Sequence, residues 1–138
     1  MEEIIIREYR EYRQTEILDL YRSVGWSGYY NQPEVLAKAF RNSLCIYAAY
    51  AEGQLAGLIR AVGDGASVVF IQDILVRPAY QRRGIGTRLM AALLDRYKNV
   101  RQIHLLTDDI PDTVAFYQAV GFTPVQQNHC IAFTRLRY

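Results

Sequence analysis

The sequence predicts an α/β fold, a mixed sheet with helices on both faces, and two adjacent segments carry this prediction. Residues 68–76 are almost continuously apolar, as in strands that are covered on both faces. The helix after them has Ile85, Leu89 and Leu93 on one apolar face, with charged residues outside it. A chain of 138 residues can bury a sizeable core, so we expect one domain, residues 1–138.

The elements before the central strand follow from turn residues and apolar spacing. Ile17, Leu20 and Tyr21 have helical spacing, and Gly25 is placed to end that helix. Pro33 can begin a second helix, because its fixed φ suits a first turn. We therefore predict a strand at 4–9, a helix at 15–24, a loop at 26–32, a helix at 33–40 and two strands at 43–51 and 54–62.

The elements after the central strand continue the alternation of helix and strand. The helix that follows it is predicted to reach Lys98, and Gly121 is placed to cap the last helix. In order, we predict a strand at 102–107, a helix at 111–120 and two short terminal strands at 122–125 and 129–136.

The loop between the central strand and its helix, Gln81-Arg82-Arg83-Gly84-Ile85-Gly86-Thr87, is suited to binding a polyanion. Without a Cβ, Gly84 and Gly86 let the backbone turn sharply and let a ligand approach the amides. The first N–H groups of the helix have no partner within it and carry the positive end of its dipole. Neither a Walker A loop nor a dinucleotide fingerprint matches, because no Lys follows the glycines and Leu89 replaces the third Gly. A pyrophosphate is the best candidate ligand, and an ordinary turn between strand and helix is the alternative.

Charge is distributed unevenly along the chain, although the net charge is only +2. Seven basic residues and one acid, Asp95, lie between 77 and 101, around the glycine loop. This surplus suits an anionic cofactor and would concentrate anions locally, whereas a solvated helix face is the ordinary alternative. The segment lacks the interleaved aromatic residues of single-strand binders, so nucleic acid is not expected as a partner.

Several absences narrow the class of protein. A hydrophobic content of 51% argues against disorder, and no apolar run is long enough to span a bilayer. The acidic start, Met1-Glu2-Glu3, is unlike a signal peptide, and two cysteines make no disulfide framework. We therefore expect a cytoplasmic protein with no membrane partner. His104 and His129 have no ligand-like clustering with other side chains, so no metal is expected.

Two motifs resemble one family. The segment 81–86 resembles the Q/R-x-x-G-x-G/A signature of the GNAT superfamily of N-acetyltransferases, and 116–122 resembles its second landmark, F-Y-x-x-x-G-F. The resemblance is sharp over residues 68–124. It implies a GNAT-like fold with a mostly antiparallel central sheet. It also implies direct transfer of acetyl from acetyl-CoA to a primary amine in a ternary complex.

The resemblance also implies roles for residues at matching positions. Backbone amides of Ile74, Leu75 and Val76 would pair with the pantetheine arm of coenzyme A. Tyr117 matches the tyrosine that protonates the departing thiolate, and its pKa near 10 lets it hold that proton at neutral pH. A tyrosine packed on the core is the alternative. The pyrophosphate would lie on the backbone of Arg82, Arg83, Gly84, Ile85, Gly86 and Thr87.

Two positions depart from the family's pattern. Many members have a Glu as general base where this chain has Gln72. An amide cannot take a proton but can hold a water or orient an amine, so Gln72 is a weak candidate for contact with the substrate. Asp73 is a weak candidate for the general base, since adjacent strand residues are expected to point to opposite faces. A water relay, or no base, is the alternative. Ile110 stands where the family often has an Asn that contacts the cofactor arm.

The loop after the first helix would form one wall of the acceptor site. It offers Trp26, Tyr29 and Tyr30, which suit an apolar or cationic amine and equally suit packing over the sheet edge. We expect the acceptor to be a small-molecule amine, with a protein Lys or N-terminus as the alternative. A binding module that has lost its chemistry and a basic nucleic-acid-binding domain are rival hypotheses. A homodimer formed through the terminal strands is open.

Overall fold

The computed structural model describes residues 3–137 of the chain. The chain divides into two compact units, Met1–Leu106 and Thr107–Tyr138, each of which is described by itself. The expectation of a single domain therefore stays a prediction.

The first unit is built on one five-stranded sheet with the order β1-β2-β3-β4-β5. The pairs β1–β2, β2–β3 and β3–β4 are antiparallel, and β5 runs parallel to β4. The sheet is therefore mixed and mostly antiparallel, which confirms the predicted fold class. Its strands are β1 (Ile4–Glu8), β2 (Cys45–Ala51), β3 (Gln54–Gly63), β4 (Val68–Val76) and β5 (Gln102–Leu105).

Helices flank this sheet. Residues of α1 and α3, including Ile17, Leu20 and Phe40, form one buried cluster with apolar side chains of β2, β3 and β4. Residues of α4, including Leu89 and Leu93, are also buried but lie outside that cluster, against strands β1 to β4. The apolar residues whose spacing predicted these helices therefore lie on the buried sides of the helices. They are α1 (Gln14–Ser23), α2 (Ser27–Tyr30), α3 (Pro33–Arg41) and α4 (Ile85–Arg96).

The loop predicted at 26–32 is partly helical, because it contains the single turn α2. Both α4 and β5 end two residues earlier than predicted. The other boundaries in this unit lie within two residues of the sequence-based ones, as usual where helix and strand ends fray.

The second unit contains one helix, α5 (Pro111–Ala119), and a short 3-10 turn at Val125–Asn128. The two predicted terminal strands are wrong here, because the structure has no strand in residues 107–137. His129 adopts a left-handed conformation, with φ of 61°, at the point where the second strand was expected to begin. None of the side chains in 107–137 is fully buried, so the strand-like sequence pattern has no packed partner to hold it extended.

Candidate functional site

The glycine loop joins β4 to α4 through an irregular turn. A 3-10 turn spans Pro78–Tyr80, and two later residues have positive φ, Arg82 at 65° and Gly84 at 78°. Gly84 directly precedes the first helical residue, Ile85, and no side chain caps that helix end. A Cβ built on Gly84 would meet nothing within 4 Å, so the backbone borders open space. Uncapped N–H groups of a twelve-residue helix beside open space are suited to an anion.

Two arginines on this loop are exposed, Arg82 and Arg83. The Arg83 guanidinium lies 5.5 Å from the centroid of the Tyr80 ring. Other members of the basic segment are engaged elsewhere. Arg77 donates to the Leu55 carbonyl at 2.6 Å and to Asp19 at 2.7 Å.

The other end of the basic segment is also partly engaged. Arg88 donates to the Ile4 carbonyl at 3.1 Å, and Arg96 pairs with Glu8 at 2.8 Å. The uneven charge seen in the sequence is therefore partly neutralised in the fold. Arg82 and Arg83 lie at the turn itself and are exposed.

Strand β4 has an open side over its second half. Strand β5 pairs with it only from Val68 to Ile71, opposite Gln102 to Leu105. Strand β3 pairs with β4 as far as Val76. Residues 72–76 therefore pair with a neighbouring strand on one side only within the first unit.

Which amides face the open side follows from the register of β3 and β4. The Arg77 N–H donates to the Ala56 carbonyl at 2.8 Å, and Leu75 lies opposite Leu58. Because backbone groups alternate in direction along a strand, Leu75 also faces β3, while Ile74 and Val76 face the open side. Of the three residues expected to bind the cofactor arm, Leu75 therefore has its N–H turned the wrong way. The Val76 carbonyl accepts a bond from Gln81 Nε2 at 3.0 Å.

A β-bulge places Gln72 and Asp73 together. The pairing of β3 with β4 shifts by one residue between Arg60 and Ala61, so Gln72 is the extra residue. The Tyr29 hydroxyl lies 2.8 Å from Asp73 Oδ1 and 3.2 Å from Gln72 Nε2. The expectation that these neighbours point to opposite faces is therefore wrong, because the bulge breaks the two-residue alternation.

The Asp73 carboxylate is buried and has three donors. Arg60 Nε lies 2.8 Å from its Oδ2 atom, the Tyr21 hydroxyl lies 2.9 Å from the same atom, and the Tyr29 hydroxyl bonds to Oδ1. Its side chain is only 2% exposed. Burial and the Asp73 charge raise the pKa of both tyrosines, so their hydroxyls keep their protons. This geometry suits an anchor for neighbouring side chains and argues against a free general base.

Two of the three expected wall residues meet in one aromatic cluster. The ring centroids of Trp26 and Tyr29 are 6.1 Å apart, and each also lies near the Tyr21 ring, at 6.0 and 5.1 Å. Tyr30 instead packs beneath the Arg22 guanidinium, at 5.2 Å. Sequence reasoning missed Tyr21, whose helical spacing indicated only a core position.

Arg60 was also missed by sequence reasoning. It lies in a strand of small and apolar residues, and such a charge is almost never fully buried without a partner. That anomaly was the available signal. Its partner was not readable, because the register of β3 against β4 is shifted by the bulge.

Tyr117 lies in the second unit, on α5. Its ring packs against Phe116 and Phe122, with centroids 5.1 and 6.2 Å away. Burial raises the pKa of the Tyr117 hydroxyl, while a hydrogen bond with Thr107 lowers it less. Tyr117 therefore holds its proton at neutral pH. Ile110, where the family often has an Asn, directly precedes α5.

Within residues 3–137, no three potential metal-binding side chains of Cys, His, Asp or Glu lie together. His104 has Gln102 at 3.3 Å as a polar neighbour. In the same range, no helix is both long and apolar enough to cross a bilayer.

The sequence model of the acetyltransferase (GNAT) family matches residues 2–122 of this chain. An uncharacterized N-acetyltransferase ycf52-like protein of Prochlorococcus marinus is 31% identical over 125 residues, which cover 86% of this chain and 67% of that protein. Serotonin N-acetyltransferase 2, chloroplastic, of Oryza sativa subsp. japonica is 32% identical over 97 residues, or 66% of this chain and 48% of that one. The chain spans 28% to 67% of the length of the curated relatives that it matches.

Solved structures of acetyltransferases have the same fold as this chain. A GNAT family acetyltransferase from Streptococcus pneumoniae TIGR4 superposes with a TM-score of 0.89 at 37% identity, covering 98% of both chains. Aminoglycoside N-acetyltransferase AAC(6')-Iy in complex with CoA superposes with a TM-score of 0.73 at 22% identity, covering 100% of this chain and 97% of that one. The second likeness concerns the fold alone.

Proposed function

The chain belongs to the acetyltransferase (GNAT) family, and we propose that it transfers the acetyl group of acetyl-CoA directly to the primary amine of a small molecule. The observation that carries this proposal is the second half of β4. There, Ile74 and Val76 direct their amides to an open side, and the strand leads straight into the uncapped helix end at Gly84. One continuous segment thus offers donors for an extended polar arm and then for a pyrophosphate.

Each end of that segment would bind a different part of acetyl-CoA. The amides of Ile74 and Val76 would pair with the pantetheine arm, much as a neighbouring strand would. The N–H groups from Arg82 to Thr87 would bind the pyrophosphate, helped by the charges of Arg82 and Arg83. When bound, acetyl-CoA supplies an activated thioester carbonyl for attack by the amine lone pair.

The protein's own side chains would serve in the proton transfers to and from the reacting groups. The acceptor amine loses a proton to water as its nitrogen bonds to the acetyl carbon, and the sulfur departs as a thiolate. Tyr117 would give its proton to that thiolate, a role supported by its motif position and its raised pKa. Asp73 would not serve as the base, because Arg60 and two tyrosine hydroxyls already occupy its oxygens. We propose that the amine reaches the site neutral or gives its proton to water.

The acceptor wall favours a small amine. Trp26 and Tyr29 are partly buried and pack against the core cluster that contains Tyr21, and their rings would offer faces that suit an apolar or cationic amine. One relative is named a serotonin N-acetyltransferase, and one structure with the same fold is an aminoglycoside N-acetyltransferase. A protein Lys or N-terminus is the alternative acceptor, and an acyl-CoA-binding module without turnover is the alternative function. A cytoplasmic location is part of the proposal, although three plant relatives are named chloroplastic.

A homodimer is a second proposal with its own observation. The C-terminal segment exposes large apolar side chains, Ile131 at 68%, Phe133 at 90% and Leu136 at 63%. Exposed apolar segments of this kind mark interaction sites. Sedimentation velocity of the parent and of a Phe133→Asp variant tests this proposal. A parent dimer that dissociates in the variant supports a homodimer formed through this segment, and a monomeric parent rejects it.

Calorimetric titration with acetyl-CoA is the decisive test of the cofactor site. We expect micromolar binding by the parent and none by an Arg83→Glu, Gly84→Asp variant, which places negative charge where the pyrophosphate would lie. Arg101→Glu is the matched control, because Arg101 follows the opposite end of α4. No binding by a folded parent would reject the proposal. Binding without acetylation of serotonin, sisomicin or a lysine peptide would favour the binding module.

A further inference from the structure

The buried pair of Arg60 and Asp73 sets the direction of the hydrogen bonds around it. A guanidinium can only donate, and a carboxylate can only accept. Arg60 Nε donates to Asp73 Oδ2 at 2.8 Å, and both side chains are almost fully buried, at 5% and 2% exposure. Any hydroxyl that contacts Asp73 must therefore supply its own proton.

Tyr29 supplies that proton. Its hydroxyl lies 2.8 Å from Asp73 Oδ1, so its single O–H is committed to the carboxylate. The raised pKa of Tyr29 keeps this proton in place at neutral pH. The phenolic oxygen can then act only as an acceptor toward everything else.

The next group in the chain is the Gln72 side chain, 3.2 Å from that oxygen. Because the Tyr29 oxygen has no second proton to give, the contact must come from the NH₂ end of the amide. The opposite end, the carbonyl oxygen Oε1, is thereby turned away from Tyr29. Among residues 3–137, that oxygen has no hydrogen-bond partner, and Gln72 is exposed.

The position of Gln72 Oε1 suits it to accept a hydrogen bond from the acceptor amine. Gln72 is two residues before Ile74 on the strand whose open side would hold the acyl donor, and its amide is fixed by the ring that forms the acceptor wall. A carbonyl oxygen with a fixed direction accepts one N–H and leaves the nitrogen lone pair of a neutral amine unengaged. It would not help an acceptor without an N–H or O–H.

We infer that Gln72 is a specificity-determining residue that accepts an N–H bond from the acceptor amine. Tyr29 positions it, and Asp73 and Arg60 act through Tyr29 by deciding which end of the amide faces outward. This inference rests on the proposed function, because it names a contact to the amine of that reaction.

A double-mutant cycle tests whether Tyr29 acts through Gln72. Tyr29→Phe keeps the aromatic ring and releases the amide, and Gln72→Met removes the amide at similar length. Each change should raise KM for the amine about fivefold to tenfold, the usual loss for one hydrogen bond, with kcat and the acetyl-CoA affinity little changed. The double variant should be no worse than Gln72→Met alone. Independent, multiplying effects would overturn the inference.

The matched control is Tyr50→Phe. Its hydroxyl also donates to a carboxylate, Glu16 at 3.3 Å, but lies outside this chain of bonds. It should leave KM for the amine unchanged. Serotonin and sisomicin are the amines used, with acetyl-CoA as donor.

A measurement without turnover separates this inference from the proposed function. The side-chain NH₂ signals of Gln72, assigned by their absence in Gln72→Met, should move in Tyr29→Phe and stay in Tyr50→Phe. In the parent, serotonin or sisomicin should shift them further. If the parent binds these amines without acetylating them, the proposed function fails and the shift still decides the inference. Gln72 signals that stay unchanged in Tyr29→Phe and on addition of either amine would overturn the inference.

Discussion

Arg60 and Asp73 form a 2.8 Å ion pair between neighbouring strands, with side chains that are 5% and 2% exposed. The pair is also bonded to other elements. Tyr21 from α1 and Tyr29 from α2 donate to the carboxylate, and the guanidinium donates to Ser43 Oγ at 3.2 Å. Two charges can remain in such a place only because each is paired and hydrogen-bonded. The pair therefore connects α1 and α2 to the central strand β4.

Asp73→Ala should destabilise the fold strongly, because it leaves the Arg60 charge buried and unpaired. We expect a loss of about 3–5 kcal/mol in the free energy of unfolding, measured by urea titration. Glu8→Ala, which breaks the more exposed pairs with Arg10 at 2.6 Å and with Arg96 at 2.8 Å, should lose only about 1 kcal/mol. Equal losses in the two variants would contradict the structural role of the buried pair.

Gly84→Ala and Gly57→Ala should differ in their effect on stability. Gly84 has φ of 78° and open space at its Cβ position, so an alanine there meets only backbone strain, about 1–2 kcal/mol. At Gly57 a Cβ would lie 2.7 Å from the Leu75 carbonyl oxygen and would push β3 from β4. We expect a larger loss there, about 3 kcal/mol or more. Thermal unfolding compares the two, and a reversed order would contradict the described geometry.

Tyr117→Phe should remove the proposed acid without disturbing cofactor binding. We expect kcat to fall about 10²-fold or more, with the affinity for acetyl-CoA unchanged. Burial raises the pKa of Tyr117, so its proton is present through neutral pH and is lost only above its ordinary value of about 10. Parent kcat should therefore show no loss from this group below that pH. A kcat within twofold of the parent in Tyr117→Phe would reject the role.

Asp64 should contribute to acid sensitivity. Its carboxylate accepts hydrogen bonds from the N–H groups of Ala66, Ser67 and Val68 at 2.8 to 3.0 Å. It also accepts one from the Ser67 hydroxyl, which is the largest cause of its lowered pKa. A lowered pKa in the folded state gives stability that is complete above the unfolded value near 4 and is lost as pH falls further.

The measurement is the midpoint of urea unfolding between pH 6 and pH 2 for Asp64→Asn and the parent. The variant should lose less stability on acidification, and the two curves should converge toward low pH. Asp95→Asn, on the exposed side of α4, is the control and should follow the parent. Parallel curves for Asp64→Asn and the parent would contradict this prediction.

The order of helices and strands in the first unit could be predicted because it depends on local signals. Apolar spacing at Ile17 and Leu20, Pro33 at a helix start and the continuous apolar run of β4 all indicate structure within a few residues. The terminal strands could not be predicted correctly, since a strand needs a partner that local sequence does not name. His129 shows the failure, because it adopts a left-handed conformation where the pattern favours extension.

The candidate site divides in the same way. The glycine loop was visible in sequence because turn and helix start are local, and its conformation agrees with that expectation at Gly84. The directions of Gln72 and Asp73 were not visible, because a bulge depends on how β4 pairs with β3. Arg60 was hidden for the same reason. Register between strands is a property of two segments, and neither segment contains it alone.

The open side of β4 has a consequence for how this sequence can change over generations. Ile74 and Val76 would contact the cofactor through N–H groups that every amino acid except proline possesses. Selection on the side chains at these positions therefore acts through packing and strand formation, and hardly through recognition of the cofactor. Related chains could carry quite different side chains there and still hold the same arm, whereas proline alone should be excluded.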